Sequence, residues 1–446
     1  MSRRKYVILL LGVFTVCMAL TLPKLVKPGT TVPSLGGQPG LQKPPEITNG
    51  EGTITTIHVA LSMSDAEFLY WSKLNHQFNN SHPEINVKLV NYPQAEAHSE
   101  WIRQSQIGSA IDIILMDNTM IREFAVKGFL FPVDDLYAGE TLADQLEALT
   151  DPLKWNGSLW GVSVDSDPLF VVWQDELLRK AGLDKPPASW SALSEAIASL
   201  HASNPELQLV ELNKFDASHW TAWLGAVAGN ARDAANLSAL SEQSQKQLRF
   251  LAEQDAGSPS SQQTGVTPSW VERMKKRELL SSVTAWSFYR GLPEADRKQL
   301  IIGNNASAMA WIGGRSFVLT AQSEAHEAAK EWIRAMTLPD MQAARYEELG
   351  RLPARKSVYQ NGFQMGYSAA KPPNWLLQVL DQPLFTPDPG WSFRWERWSE
   401  LWRGISDSET MEIEEINRLI RGWNGEEESG AGGAADGLQA DGKLDD

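Results

Sequence analysis

The stretch Trp155–Trp190, WNGSLWGVSVDSDPLFVVWQDELLRKAGLDKPPASW, constrains this chain more than any other. Leu159 to Val164 is a short run with branched residues, ended by the polar turn Asp165-Ser166-Asp167-Pro168. Leu169 to Trp173 is apolar without a charge, the pattern of a strand buried on both faces. Asp175 to Ala181 then predicts a short helix, stopped by Gly182 and by Pro186-Pro187. Ser189 is placed to cap a further helix in which Leu193, Ile197 and Leu200 recur at helical spacing.

The flanking chain reads as α/β. Ile57 to Leu61 predicts a strand, followed by the turn Ser62–Asp65 and a helix with Phe68, Trp71, Leu74 and Phe78 on one face. Ile85, Val87 and Leu89 alternate with polar residues, a half-buried strand, and Ile111 to Met116 is another. Strand–helix–strand repeats of this length imply a largely parallel sheet with helices on both faces. Ligands on such sheets sit beyond the carboxyl ends of the strands, which is where the turns Ser62–Asp65 and Asp117–Thr119 fall. Residues 190–303 read as helices and polar turns, with Ser258–Thr267 a loop.

At 446 residues the chain is long enough for two or three domains. A formal charge of −15 argues against a nucleic-acid partner. Residues 425–446, with seven acids and one lysine, supply −6 of it and read as a disordered acidic tail. Residues 1–22 join the basic Ser2-Arg3-Arg4-Lys5 to an uncharged run from Tyr6 to Leu22, a cleaved signal peptide or an uncleaved membrane anchor. Residues 23–52, rich in Pro, Gly and Thr, read as a flexible tether. The single cysteine, Cys17, allows no internal disulfide.

Three segments carry a family resemblance: DIILMDNTMIREFAVKGFLFPVDDL, WGVSVDSDPLFVVWQDELLRKAGLDKPPASW, and the run from Gly303 to Tyr359 with its Gly-Gly turn. Together they resemble the extracellular solute-binding proteins of ABC importers, of the sugar-binding type. The likeness spans about residues 53–424. It implies a two-lobe periplasmic-binding-protein-like (type II) α/β fold with a ligand cleft between the lobes. The first lobe is then 53–166 plus 306–358 and the second 167–305 plus 359–424. Many members are lipoproteins, but Cys17 follows Thr15-Val16 rather than Gly, Ala or Ser, a departure from that pattern.

A sugar site needs short carboxylates or amides on turns and an aromatic plate against a C–H face. Ser64, Asp65, Asp117 and Asn118 have the right positions, and Asp65, Asp117 and Asn118 can instead cap the helix that follows. The resemblance implies a cleft carboxylate at Asp167, whose other role is a turn bond ahead of Pro168. It also implies ligand-facing rings at Trp286, at Trp220, and at Trp391 or Trp395; core packing is the competing role of each. Trp391, Trp395, Trp398 and Trp402 have the spacing of a buried helical seam.

No zinc-protease, nucleophile-elbow or phosphate-loop motif is present in the sequence, and no metal or cofactor is expected. The expected function is capture of a carbohydrate, an oligosaccharide by preference, and its delivery to an ABC transporter permease in the membrane. A carbohydrate-active enzyme using Asp165 and Asp167 as acid and base, or a ligand-sensing subunit for a membrane kinase, are the alternatives.

Overall fold

Short apolar runs build two main sheets, beside a two-stranded one of Lys154–Trp155 and Ser158–Leu159. Before the crossing come β1 (Thr55–Leu61), β2 (Ile85–Asn91), β3 (Ile113–Asp117) and β4 (Val162–Ser166). Beyond it come β5 (Leu169–Gln174), β6 (Gln208–Glu211), β7 (Leu279–Ala285) and β8 (Leu300–Ile302); β9 (Gly314–Thr320) and β10 (Leu352–Pro353) return. The computed structural model describes residues 54–108, 111–137, 141–213, 215–228, 237, 240–255, 269–303, 311–360, 371–406, 414 and 417–423. The N-terminal segment with Cys17, the tether, the 258–267 loop and the acidic tail lie outside the described residues.

The first sheet has the order β10-β4-β9-β3-β1-β2, with the two-residue strand Leu130–Phe131 paired to β9. β1 is parallel to β2 and β3, as the sequence predicts, whereas β9 runs antiparallel to β3 and β4. The expectation of a largely parallel sheet is corrected there. The chain leaves the first lobe at the end of β4 and re-enters at that same edge, so β9 must run back. The second sheet has the order β8-β5-β7-β6. β5 is buried along its whole length, as its uncharged sequence requires.

Residues 190–303 are corrected too, because three strands interrupt the helices. Leu279-Leu-Ser-Ser-Val-Thr-Ala285 shows no alternation because nearly all of it is buried. Of its two buried serines, Ser281 is tolerated by bonding inward, its Oγ donating to the Leu209 carbonyl at 2.7 Å.

Each sheet has its own core. Trp71, Phe124, Phe317 and Trp332 fill the first, and Trp173, Trp220, Trp223, Trp398 and Trp402 fill the second. A third apolar cluster draws Leu146 and Leu149, before the crossing, together with Phe170 and Trp286, beyond it. It packs around the crossing.

Two strands cross side by side at that junction. Asp167 N–H donates to the Gly313 carbonyl at 3.1 Å and Leu169 N–H to that of Trp311 at 3.0 Å. Ser166 Oγ donates to the Ile312 carbonyl at 2.6 Å. Gly313 has φ +58°, and a Cβ there would lie 2.5 Å from the Asp167 carbonyl oxygen, so only glycine fits.

Candidate functional site at the strand ends

The ends of β1, β3 and β4 and the starts of β9 and β10 share one edge of the first sheet, the edge from which the chain crosses. Register decides what gathers there. Arg315, second in β9, is opposite Asp117 of β3 on one side and Asp165 of β4 on the other. Cross-strand partners point to the same face, so Asp117, Arg315 and Asp165 form a row across three strands.

Glu67 reaches this row from the first turn of the helix Asp65–Ser81, where Ser64 is the N-cap and accepts from Glu67 N–H at 3.3 Å. Arg315 Nε donates to Asp165 Oδ1 at 3.0 Å; its Nη2 donates to Asp165 Oδ2 at 2.9 Å and Glu67 Oε1 at 2.6 Å. Arg351, next to β10, donates through Nε to Asp165 Oδ1 at 2.8 Å. Its Nη1 lies 3.4 Å from Asp167 Oδ2 and its Nη2 3.3 Å from the Gly313 carbonyl. Both crossing strands are thus bonded to one guanidinium.

Burial by itself would raise the Asp165 carboxyl, but Arg315 and Arg351 outweigh it and hold the group well below the usual carboxylate range. Glu67 is also lowered, with burial opposed by the same two arginines. Asp117 and Asp167 go the other way. Burial raises both, and their hydrogen bonds and nearby arginines offset only part of it.

Asp167 is turned toward the second lobe. Its Oδ1 accepts from Ser287 N–H at 2.9 Å and its Oδ2 from Ser287 Oγ at 2.7 Å. Asp117 Oδ1 accepts from Thr119 N–H at 3.0 Å and Oγ1 at 2.7 Å, which leaves Oδ2 without a partner among the described residues. Asp65 is exposed at the start of its helix.

Asn118 does not join this row. It is buried, donating to the Leu149 carbonyl at 3.0 Å and accepting from Ser316 Oγ at 2.6 Å, so it clamps the turn against β9. Three of the expected ligand-facing rings are corrected to core positions. Trp220 is wholly buried and stacks on Trp402 at 3.7 Å. Trp286 is pinned by its backbone N–H to the Pro168 carbonyl and packs its ring edge-on to Phe170. Trp391 is 1% exposed, beneath Trp395. Trp395 is partly open and stacks on Trp311 at 4.6 Å; Trp311 lies in the returning crossing strand.

Glu67, Arg315, Arg351, Ser287 and Trp311 are additions that the sequence did not single out. One signal was available: Arg315 is the lone charge in an apolar strand, directly after the Gly313-Gly314 turn. Both Asp165 oxygens are held by guanidiniums and both Asp167 oxygens by Ser287. Among the described residues no group of His, Cys, Asp and Glu could hold a metal ion.

Comparison with known proteins agrees with this architecture. The GacH receptor of Streptomyces glaucescens superposes with a TM-score of 0.60 at 19% identity, covering 84% of this chain and 98% of that one. The sugar-binding protein MalE of Xanthomonas citri gives 0.60 at 18% identity, covering 86% and 100%. At such identities the likeness is one of fold. A binding protein of Brucella abortus (strain 2308) is 20% identical over 137 residues, 31% of this chain and 33% of that protein, so the chain matches about a third of that relative's length. The model for bacterial extracellular solute-binding proteins matches residues 73–372, about two thirds of the sequence, and the chain belongs to that family.

Proposed function

We propose that this protein captures a carbohydrate outside the membrane and presents it, unaltered, to an ABC transporter permease through closure of its two lobes. The observation that carries this reading is the polar row at the strand ends, set beside a two-strand crossing and the partly open Trp311–Trp395 pair. The row supplies fixed donors and acceptors for hydroxyl groups, and the rings supply an apolar plate. Burying one sugar face contributes about 1–2 kcal/mol at roughly 25 cal/mol per Å². Orientation comes from Asp117, Arg315 and their neighbours. Two of the structural neighbours support the choice of ligand: GacH was solved with acarbose, and the Xanthomonas protein is named as sugar-binding.

A ligand that touches both lobes binds the closed form better and shifts the population toward it by that difference in affinity. In this reading residues 1–22 hold or export the chain so that the lobes work on the outer face. The test is a thermal-shift screen of the purified chain over mono- and oligosaccharides, followed by small-angle scattering and mass spectrometry of the recovered ligand. A true ligand at a hundredfold excess over Kd adds about 2.7 kcal/mol of stability. It should also compact the scattering profile and return with its mass unchanged. A screen without a hit, or recovery of cleaved sugar, overturns the proposal.

A further inference from the structure

The charges at the strand ends limit what kind of saccharide can enter, an inference that rests on the carbohydrate reading above. Arg315 is shared by Asp165 and Glu67; Arg351 pairs with Asp165 and approaches Asp167. The buried Arg345 lies 3.9 Å from Asp165 and donates to the Val164 and Met336 carbonyls at 3.1 and 2.8 Å. Three guanidiniums therefore face the carboxylates of Glu67, Asp165 and Asp167, with Asp117 a fourth in the same row. On the second-lobe helix that begins at Trp286, Arg290 is turned away onto the Tyr346 ring at 4.3 Å and bonded to the Glu347 carbonyl at 3.4 Å. Among the described residues each guanidinium of this cluster is already engaged by carboxylates or backbone carbonyls, with only the deeply buried Nε of Arg345 lacking a hydrogen bond, while Asp117 Oδ2 and Glu67 Oε2 are carboxylate oxygens with no hydrogen-bond partner.

We propose that the site takes neutral or amine-bearing saccharides and rejects sugar acids and sugar phosphates. An acidic group brought to this row would meet Asp117 and could gain an arginine only by displacing one of its carboxylates. A hydroxyl or ammonium hydrogen can be accepted by Asp117 Oδ2 with nothing displaced. Nearby like charges in a partly buried site are worth on the order of 1–4 kcal/mol, enough for a tenfold or larger discrimination.

The test is equilibrium titration of the full chain with matched trimers: maltotriose, tri-galacturonate, the glucosamine trimer, and a phosphorylated maltotriose. The neutral or amino member should bind at least about tenfold more tightly than either acid, with the gap shrinking in high salt. Tighter or equal binding of an acidic member overturns this inference and leaves carbohydrate capture standing; binding of none removes both. Asp117→Asn, close in shape, separates charge from packing, with its folding checked by melting temperature. It should weaken the glucosamine trimer more than maltotriose. An unchanged ratio means that Asp117 does not read the ligand and overturns the assignment.

Discussion

Asp167 and Ser287 are joined twice, the serine N–H donating to one carboxylate oxygen at 2.9 Å and its hydroxyl to the other at 2.7 Å. The aspartate stands on the crossing strand and the serine on the first turn of a second-lobe helix. Gly350 of the first lobe packs within 3.0–3.2 Å of Ser287 when a Cβ is placed on it. This contact joins the helix that begins at Trp286 to the charged row of the first sheet.

Asp167→Ala leaves the Ser287 N–H and hydroxyl without their acceptor. The expected loss is about 1–3 kcal/mol in urea unfolding. Ser287→Ala removes only one of the two bonds and should cost less, near 1 kcal/mol. Equal costs for the two variants would mean that the carboxylate is held mainly by Arg351.

Arg315→Ala is expected to be among the most destabilising changes in the first lobe, about 3–5 kcal/mol, because Asp165 and Glu67 would be left buried without their shared partner. Arg315→Lys should recover little, since an ammonium cannot span the Asp165 oxygens as a fork does. Denaturant midpoints of the two variants check this; full recovery by lysine would show that charge alone matters.

Stability should depend on pH in two opposing ways. Asp165 and Glu67 are lowered in the folded state, so their contribution is complete above the ordinary carboxylate range near about 4 and is lost as pH falls through their lowered values. Asp117 and Asp167 are raised, so the folded state binds protons more readily and stability from them increases as pH falls toward about 4. Urea midpoints should therefore change little or rise slightly on acidification to about 4, then drop steeply below it. A steady decline beginning at pH 6 would contradict both assignments.

The two tryptophans of one helix should separate. Trp391→Ala opens a cavity beside Trp395 and Phe385 and should cost about 3–5 kcal/mol. Trp395→Ala removes a partly open ring and should reduce saccharide affinity by about 1–2 kcal/mol with a smaller loss of stability. Calorimetric binding and melting temperatures measure both; unchanged affinity in Trp395→Ala would remove this ring from the site.

Local pattern determined a good deal by itself. The buried strand Leu169–Gln174, the cap at Ser189, the stop at Gly182 and the core face of Ala329, Trp332, Ile333 and Met336 all follow from spacing and side-chain type. The family and its two-sheet fold were legible in the ordered motifs from Asp112 to Tyr359. Tertiary structure alone decided which polar and aromatic residues meet. Nothing in the spacing of Glu67, Asp165, Arg315 and Arg351 brings them together; strand register and the antiparallel return of β9 do. The rings of Trp220 and Trp286 are turned inward by a stack on Trp402 and by the backbone bond to Pro168, contacts from distant parts of the chain. A turn residue's position along the chain shows which edge it reaches, while its charge partners depend on the strands that edge is built from.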